Sequence, residues 1–387
     1  MKINKIIFLI ILFLIASLFS CKQSTDKKEF HIGFSQAMLN DEWRQSMNNS
    51  MKLQASLNPN VVLTISNANY DVQQQITQLK KFITDSVDII IVSPIKSKPI
   101  TPIIEEALNL GIPVLVVDRK TENQKYTAYL GADNIEVGRN AAKIIASNLL
   151  DSLRIVEIKG LAGSSPAEER SMGFHQIIDK FSKIKFLGAI EGDWEKKSIS
   201  ESFKEMLLSN EKVDFVFAHN DRMAKGAWEI ARNLGRENEV KIIGVDGLNG
   251  PNGGIQLVKN GILYATILYP TGGDEAINIA LKILNKEVVS TNNILATTVI
   301  DQFNADIMQN QFNKINEQKT LIETQVSDIQ RQERMYYSQG NTLKIILGFL
   351  FVILGLALYS IYSKISITKK NRQLELINKK ITVQRNQ

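Results

Sequence analysis

The chain holds one cysteine, Cys21, and three histidines, His31, His175 and His219, in 387 residues. A single cysteine excludes any disulfide within the chain. No histidine is spaced with another histidine, a cysteine or a carboxylate as a metal site requires, so no metal is expected. The sequence also lacks a P-loop, a dinucleotide-type glycine fingerprint after the first apolar run, and a Gly-x-Ser-x-Gly elbow. The lone cysteine lies at the membrane end and cannot be a buried nucleophile. Catalysis therefore has no chemical foothold, and neither enzyme nor cofactor is expected.

Unbalanced charge is absent from most of the chain. Residues 363–387 carry seven Lys or Arg against one Glu, a net of +6, which equals the net charge of the whole sequence. Everything before residue 363 sums to zero and leaves no electrostatic footprint for phosphates, so no nucleic acid partner is expected. At the N-terminus Lys2 and Lys5 precede an uncharged run over residues 6–20. That run fits the apolar core of an export signal and is short for a bilayer span, which needs about 20 residues. Residues 1–20 are thus a signal peptide or an uncleaved signal anchor. "LFSC" (Leu18 to Cys21) resembles a bacterial lipobox, and the resemblance implies lipidation at Cys21.

From Phe30 onward, short Val- and Ile-rich runs such as "HIGFS", "VVLTIS", "VDIIIVSP" and "IPVLVVD" alternate with helical patterns. Runs apolar on both faces suit strands buried on both sides of a parallel sheet. Between them, residues 71–84 place Val72, Ile76, Leu79 and Phe82 or Ile83 on one helical face. After "AYLGADN" the series begins again with "RIVEIKG", "KFLGAIEG", "DFVFAHN", "VKIIGVDG" and "LYATILYP". About ten strands exceed one comfortable sheet with such connections, which predicts an α/β protein of two doubly wound parallel-sheet lobes. Ligands in such folds bind beyond the carboxyl ends of the strands. The polar residues there are Ser35 and Gln36, Asp118 and Arg119, Asp133 and Asn134, His219 to Asp221, Asp246, and Tyr269.

Residues 306–342 break the pattern. They are rich in Gln, Asn, Glu and Lys, with Ile315, Ile322, Val326 and Ile329 at three-to-seven-residue intervals, as in a long amphipathic helix or else a polar linker. Residues 345–362 carry no charge and as a helix would span about 27 Å, enough for a hydrocarbon core, so 343–363 is expected to be a transmembrane helix. The basic residues of 364–387 mark that side as cytoplasmic and the two lobes as outside. Leu374, Ile377 and Ile381 begin a spacing suited to a coiled coil.

The strand-end residues suit a polyhydroxylated ligand. Sugar hydroxyls donate and accept, so such a site wants carboxylates and amides, arginine forks, and flat aromatic faces against the C–H surface of a ring. Trp43, Trp194, Asp118, Arg119, Arg170, Asn220 and Asp246 supply that inventory. With "GFSQ", "DEWR", "VDR", "GADN", "AGSSPAEERSMGF", "EGDW", "FAHNDRMAKGA", "GVDG" and "ATILYP" in this order, residues 29–305 resemble periplasmic sugar-binding proteins of the ribose and galactofuranose type. The resemblance implies the type I periplasmic-binding fold, with a first lobe over about 29–133 plus 270–290 and a second over about 134–268 plus 291–305. It implies that Trp43 and Trp194 sandwich a sugar, that Asp118 and Arg119 grip hydroxyls, and that Arg170, Asn220 and Asp246 act from the second lobe. Trp43 could instead cap a helix, and Asp221 is expected to cap the helix that follows it. Arg44 matches the galactofuranose-type pattern, whereas Tyr269 stands where ribose-type proteins carry glutamine.

The whole layout is similar to the input half of hybrid two-component sensor kinases of gut-type Bacteroidetes. That likeness implies a monosaccharide sensor in the inner membrane, with a homodimer or a downstream histidine kinase and response regulator as partners. A membrane-tethered receptor for a sugar transporter is the competing expectation.

Overall fold

The computed structural model describes residues 28–385. The expected signal segment 1–20 and the lipidation site Cys21 lie outside them. The chain divides into two compact units, one ending at Glu317 and one beginning at Gln318.

In the first unit the Val- and Ile-rich runs form strands. The first sheet contains β1 (Phe30–Gln36), β2 (Val61–Asn67), β3 (Ile89–Val92), β4 (Val114–Val117), β5 (Ala128–Ala132) and β11 (Asn292–Leu295), in the order β11-β5-β4-β3-β1-β2. The second contains β6 (Leu153–Leu161), β7 (Ile184–Gly192), β8 (Phe215–Ala218), β9 (Lys241–Asp246), β10 (Ala265–Leu268) and β12 (Thr298–Asp301), in the order β12-β10-β9-β8-β6-β7. All pairings are parallel except β10 with β12. The central strands "IIIV", "VLVV" and "FVFA" are buried along their whole length, because helices cover both faces. The edge strand β2 alternates between half-buried and exposed positions over its first residues, as an uncovered margin permits.

The helices of this unit are α1 (Glu42–Ser56), α2 (Val72–Thr84), α3 (Ser97–Asn109), α4 (Asn134–Ser147), α5 (Ser165–Ile178), α6 (Lys196–Ser209), α7 (Asp221–Asn233), α8 (Gly254–Lys259) and α9 (Gly273–Leu284). Several start with a side chain that satisfies an orphan backbone N–H. Asp41 accepts from Arg44 N, Asp71 from Gln73 N and Gln74 N, Asp133 from Glu136 N, and Asn220 from Met223 N. The cap of α7 is therefore Asn220. The expected capping role of Asp221 does not hold, and its carboxylate is committed elsewhere.

The last two strands were not foreseen from sequence. β11 pairs with β5 and β12 with β10, so the chain supplies an outer strand to each lobe in turn. Residues 292–295 thus belong to the first lobe, and the final crossing falls at 296–297 rather than at 290–291. The helix α10 (Ala305–Arg385) follows. Residues 306–342 are helical. Among the described residues α10 is the one helix long and apolar enough to cross a membrane.

Candidate functional site

Between the lobes lies a cleft with an empty volume of about 660 Å³, open in part to solvent. Nine of the sequence-selected residues line it: Trp43, Arg44, Asp118, Arg119, Arg170, Trp194, Asn220, Asp246 and Tyr269. Helix α1 begins at the cleft because Asp41 caps it, and this sets Trp43 and Arg44 in its first turn. Arg44 is 4% exposed and engaged at all three of its nitrogens. Its Nη1 donates to Gln36 Oε1 at 2.6 Å and Ser93 Oγ at 3.2 Å, its Nη2 reaches Asp118 Oδ2 at 3.1 Å, and its Nε lies 3.3 Å from Asp41 Oδ2. Burial opposes its charge, but Asp118 and Asp41 outweigh that and hold its pKa above the ordinary value. Arg119 donates to the Ile95 carbonyl at 3.0 Å, and its pKa is lowered by burial and by the neighbouring Arg44.

From the second lobe, Arg170 donates through Nε to Asn134 Oδ1 at 2.9 Å and through Nη1 to the His219 carbonyl. Its guanidinium lies 4.7 Å from the Tyr269 ring and 5.8 Å from the Trp194 ring, while that of Arg119 lies 5.7 Å from Trp194. Trp194 is thus faced by cations from both lobes, an arrangement favoured by the ring quadrupole. Its ring rests on the backbone of Gly160, where a Cβ would stand 2.0 Å from Cη2. Its Nε1 is buried with no hydrogen-bond partner among the described residues. Trp43 donates through Nε1 to the Tyr269 carbonyl at 2.8 Å, which fixes its ring beside that of Tyr269 at 5.7 Å.

Backbone strain gathers here. Tyr70, Asp118, Trp194 and Asp246 all line the cleft, and all have positive φ, at 61°, 63°, 77° and 125°. Non-glycine residues persist in that region only when their surroundings over-determine them, a pattern typical of ligand clamps. At Asp118 the determinants are visible: Tyr129 Oη donates to its carbonyl at 3.0 Å, and Tyr269 Oη lies 3.4 Å from the same oxygen.

Two carboxylates sit on the second-lobe wall, Asp221 buried and Asp246 half-buried. Asp221 accepts from Thr266 Oγ1 at 2.7 Å and Gly247 N at 2.8 Å, yet burial pushes its pKa up to about 7. Asp246 is held well above the carboxylate range by burial and by Asp221. Behind them Glu157 Oε1 lies 2.9 Å from His219 Nε2, and Gly160 N points at His219 Nδ1 from 3.3 Å. That pairing fits a ring protonated on Nε2. Burial lowers the His219 pKa further.

Two selected residues do not line the cleft. Ser35 is buried and donates to Gln78 Oε1 on α2 at 3.0 Å; its neighbour Gln36, on the opposite strand face, is the one that reaches Arg44. Asn134 stands one layer back, between Arg170 and Tyr269, whose hydroxyl accepts from its Nδ2 at 3.3 Å. Sequence reasoning missed Tyr70, Arg222, Leu248 and Asn252, which lie in loops or on a helix and carry no strand-end signature. Asp41 also lines the cleft, although only its capping geometry distinguishes it.

Comparison with known proteins gives one consistent picture. The sequence profile of the periplasmic binding protein domain matches residues 32–287. The ribose import binding protein of Bacillus subtilis is 31% identical over 224 residues, covering 58% of this chain and 72% of its own length. A xylitol-binding protein of Mycolicibacterium smegmatis is 28% identical over 251 residues, 64% of this chain and 71% of its own. Among solved structures, the fructose-binding periplasmic domain of a hybrid two-component system superposes with a TM-score of 0.75 at 40% identity, covering 77% of this chain and 99% of that one.

Proposed function

The chain belongs to the periplasmic binding protein domain family, and on that premise we propose that its cleft closes on a monosaccharide, a pentose or hexose, and that binding is passed across the inner membrane. One observation carries the reading. Arginine forks, carboxylates and two tryptophan faces converge from both lobes on one space, so a polyhydroxylated ring satisfies them together only when the cleft is shut. Trp43 and Trp194 cover the ring faces, and the unpartnered Trp194 Nε1 donates to a hydroxyl. Asp118 and Asp246 accept from hydroxyls. Arg119 and Arg170 donate to the ligand, and Arg44 holds Asp118 in place. Asn220 and Tyr269 form the remaining wall, with Asn134 positioning Arg170.

The sensory role is supported by the hybrid two-component neighbour and by α10. In this reading the binding domain is periplasmic, residues 343–363 span the membrane, and the basic residues after 363 lie in the cytoplasm. Met308, Ile315, Ile322, Ile329, Tyr336 and Leu343 recur every seven residues along α10, and from Ile315 on they are at least 37% exposed. A strict seven-residue apolar repeat suits a second copy in a parallel coiled coil, which supports a homodimer that signals to a histidine kinase and response regulator. The ribose import relative supports the second reading, a tethered transport receptor; uptake that fails without this chain would favour it.

Calorimetric titration of residues 28–317, stripped of ligand by unfolding and refolding, tests the binding step. Fructose comes first, followed by ribose, galactose, arabinose and xylose. Saturable binding to one sugar, lost in Trp43→Ala and Arg119→Ala, is the expected outcome. No heat with any sugar from a cooperatively folded protein would refute it.

A further inference from the structure

Asp246, Leu248, Asn252, Gly253 and Gly254 face the cleft from the second lobe. The same stretch, continued through α8 to Lys259, carries the first turns of α10 on its other side. Asn249 Nδ2 donates to Asn313 Oδ1 at 2.8 Å, and Gln309 Nε2 donates to Gln256 Oε1 at 3.1 Å. Lys259 Nζ reaches Asp306 Oδ1 at 2.7 Å and also bonds Gln309. Beneath these contacts Ala305 is buried, and Met308 and Phe312 pack on the core cluster that contains Ile255, Leu257 and Val258. Positions 305, 308 and 312 share one helix face. From Asn313 to Gln318 every residue of α10 is exposed, so the docked part ends where the contact with Asn249 is made.

The intervening loop is strained at Asp246 and turns at two glycines. Asp246, Gly247 and Gly250 have φ of 125°, 60° and 140°, and Asp221 Oδ2 fastens Gly247 N to the cleft wall. From the first lobe, Asp41 and Glu42 line the same space as Leu248 and Asn252. Closure therefore loads one side of a loop whose other side bears the helix.

We propose that residues 246–259 are the coupling platform of this protein. Asn249, Asn313 and Phe312 act as positioning residues that carry closure of the cleft into α10, without touching the ligand. The proposal rests on the sensor reading above, and its test is made independent of the sugar.

In the full chain in lipid nanodiscs, Lys120→Cys with Ser165→Cys links the lobes on oxidation, at a point where Lys120 N already donates to Ser165 Oγ across the cleft at 2.7 Å. Amide hydrogen exchange of residues 309–317 is compared between oxidised and reduced protein. The locked form is expected to exchange about tenfold more slowly, a stabilisation of about 1.4 kcal/mol in local opening. Adding Asn249→Ala with Phe312→Ala is expected to shrink that difference below about twofold, whereas Phe312→Leu, which keeps an apolar contact, retains it. A platform variant that keeps the tenfold difference, or a locked chain whose helix exchanges as fast as the reduced one, overturns the proposal. Calorimetry on the unlocked chain is scored separately: absence of heat with every sugar refutes the sugar reading and leaves the exchange result standing. Thermal melting of each variant confirms that the lobes remain folded.

Discussion

Gly160→Ala is a one-methyl change that isolates the placement of Trp194. The added Cβ would lie 2.0 Å from Cη2 and 2.3 Å from Cζ2 and Cζ3 of the indole. Carbon atoms in contact settle at about 3.5–4.0 Å, so about 1.5 Å must be recovered. Strand β6 is held around this point, because Gly160 N is engaged with His219 Nδ1 and Lys159 and Leu161 on either side of it pair with β7. The ring is displaced instead, which upsets its placement against the Arg119 and Arg170 guanidiniums, at 5.7 and 5.8 Å, and within the cleft they line together. Losing two cation–π contacts, each about 0.5–2 kcal/mol, together with part of the face offered to a sugar ring, costs about 2–4 kcal/mol of binding. Affinity should fall about 30-fold to 1000-fold on that arithmetic. Since the displaced group is the far end of a side chain, unfolding free energy should fall by less, about 1–2 kcal/mol. Titration calorimetry and urea unfolding on the same preparation give both numbers. An affinity within threefold of the parent, with unfolding unchanged, would refute the reasoning that Gly160 fixes the tryptophan face.

Four other outcomes follow from the same geometry. Arg44→Met removes the nearer of two guanidiniums from Asp118, leaving Arg119 Nε at 3.6 Å and Ser93 Oγ at 3.3 Å from its Oδ2. Breaking a buried pair from one side costs about 3–5 kcal/mol, and the remaining partners place this one at or below the lower end, readable as a lowered urea midpoint. Ser35→Ala should leave sugar affinity unchanged because Ser35 faces α2, whereas Asn134→Ala frees Arg170 and should weaken binding about tenfold by calorimetry. His175 is raised to about 9, chiefly by its bond to the Glu157 carboxylate against the opposing effect of burial. Its folded value exceeds the ordinary 6.5, so the stability it contributes is complete below pH 6.5 and is lost as pH rises towards 9. The stability difference between wild type and His175→Gln should therefore vanish over that window in urea titrations, and a difference that grows with pH would contradict the assignment.

How far the sequence disclosed this molecule depends on the element. The central strands were legible because covering both faces of a sheet leaves no polar position, as in "IIIV" and "VLVV". Strands β11 and β12 were not, since "NNIL" and "TVID" are four-residue margins with mixed exposure, and their pairing is decided by partners 30 or more residues away. At the site, the strand-end rule found Asp118, Arg119 and Asp246. It could not choose between Ser35 and Gln36, because which of two successive residues faces the cleft depends on register. Tyr70 and Leu248 escaped it altogether, being brought to the cleft by loops. The α7 cap was misassigned by one residue, since Asn220 and Asp221 are both capable caps and only Asn220 has the extended backbone that a cap requires.

The last crossing of the chain bears on how such a protein can be rearranged. β11 closes the outer edge of one sheet and β12 that of the other, and both precede α10 by only a few residues. A break placed anywhere between residues 290 and 301 would uncover β5, β10 or both, leaving unpaired strand edges that recruit other chains. The binding domain and its outgoing helix are therefore stitched together, and any recombination that gives this domain a new output must join it after Asn304, where both edges are already closed.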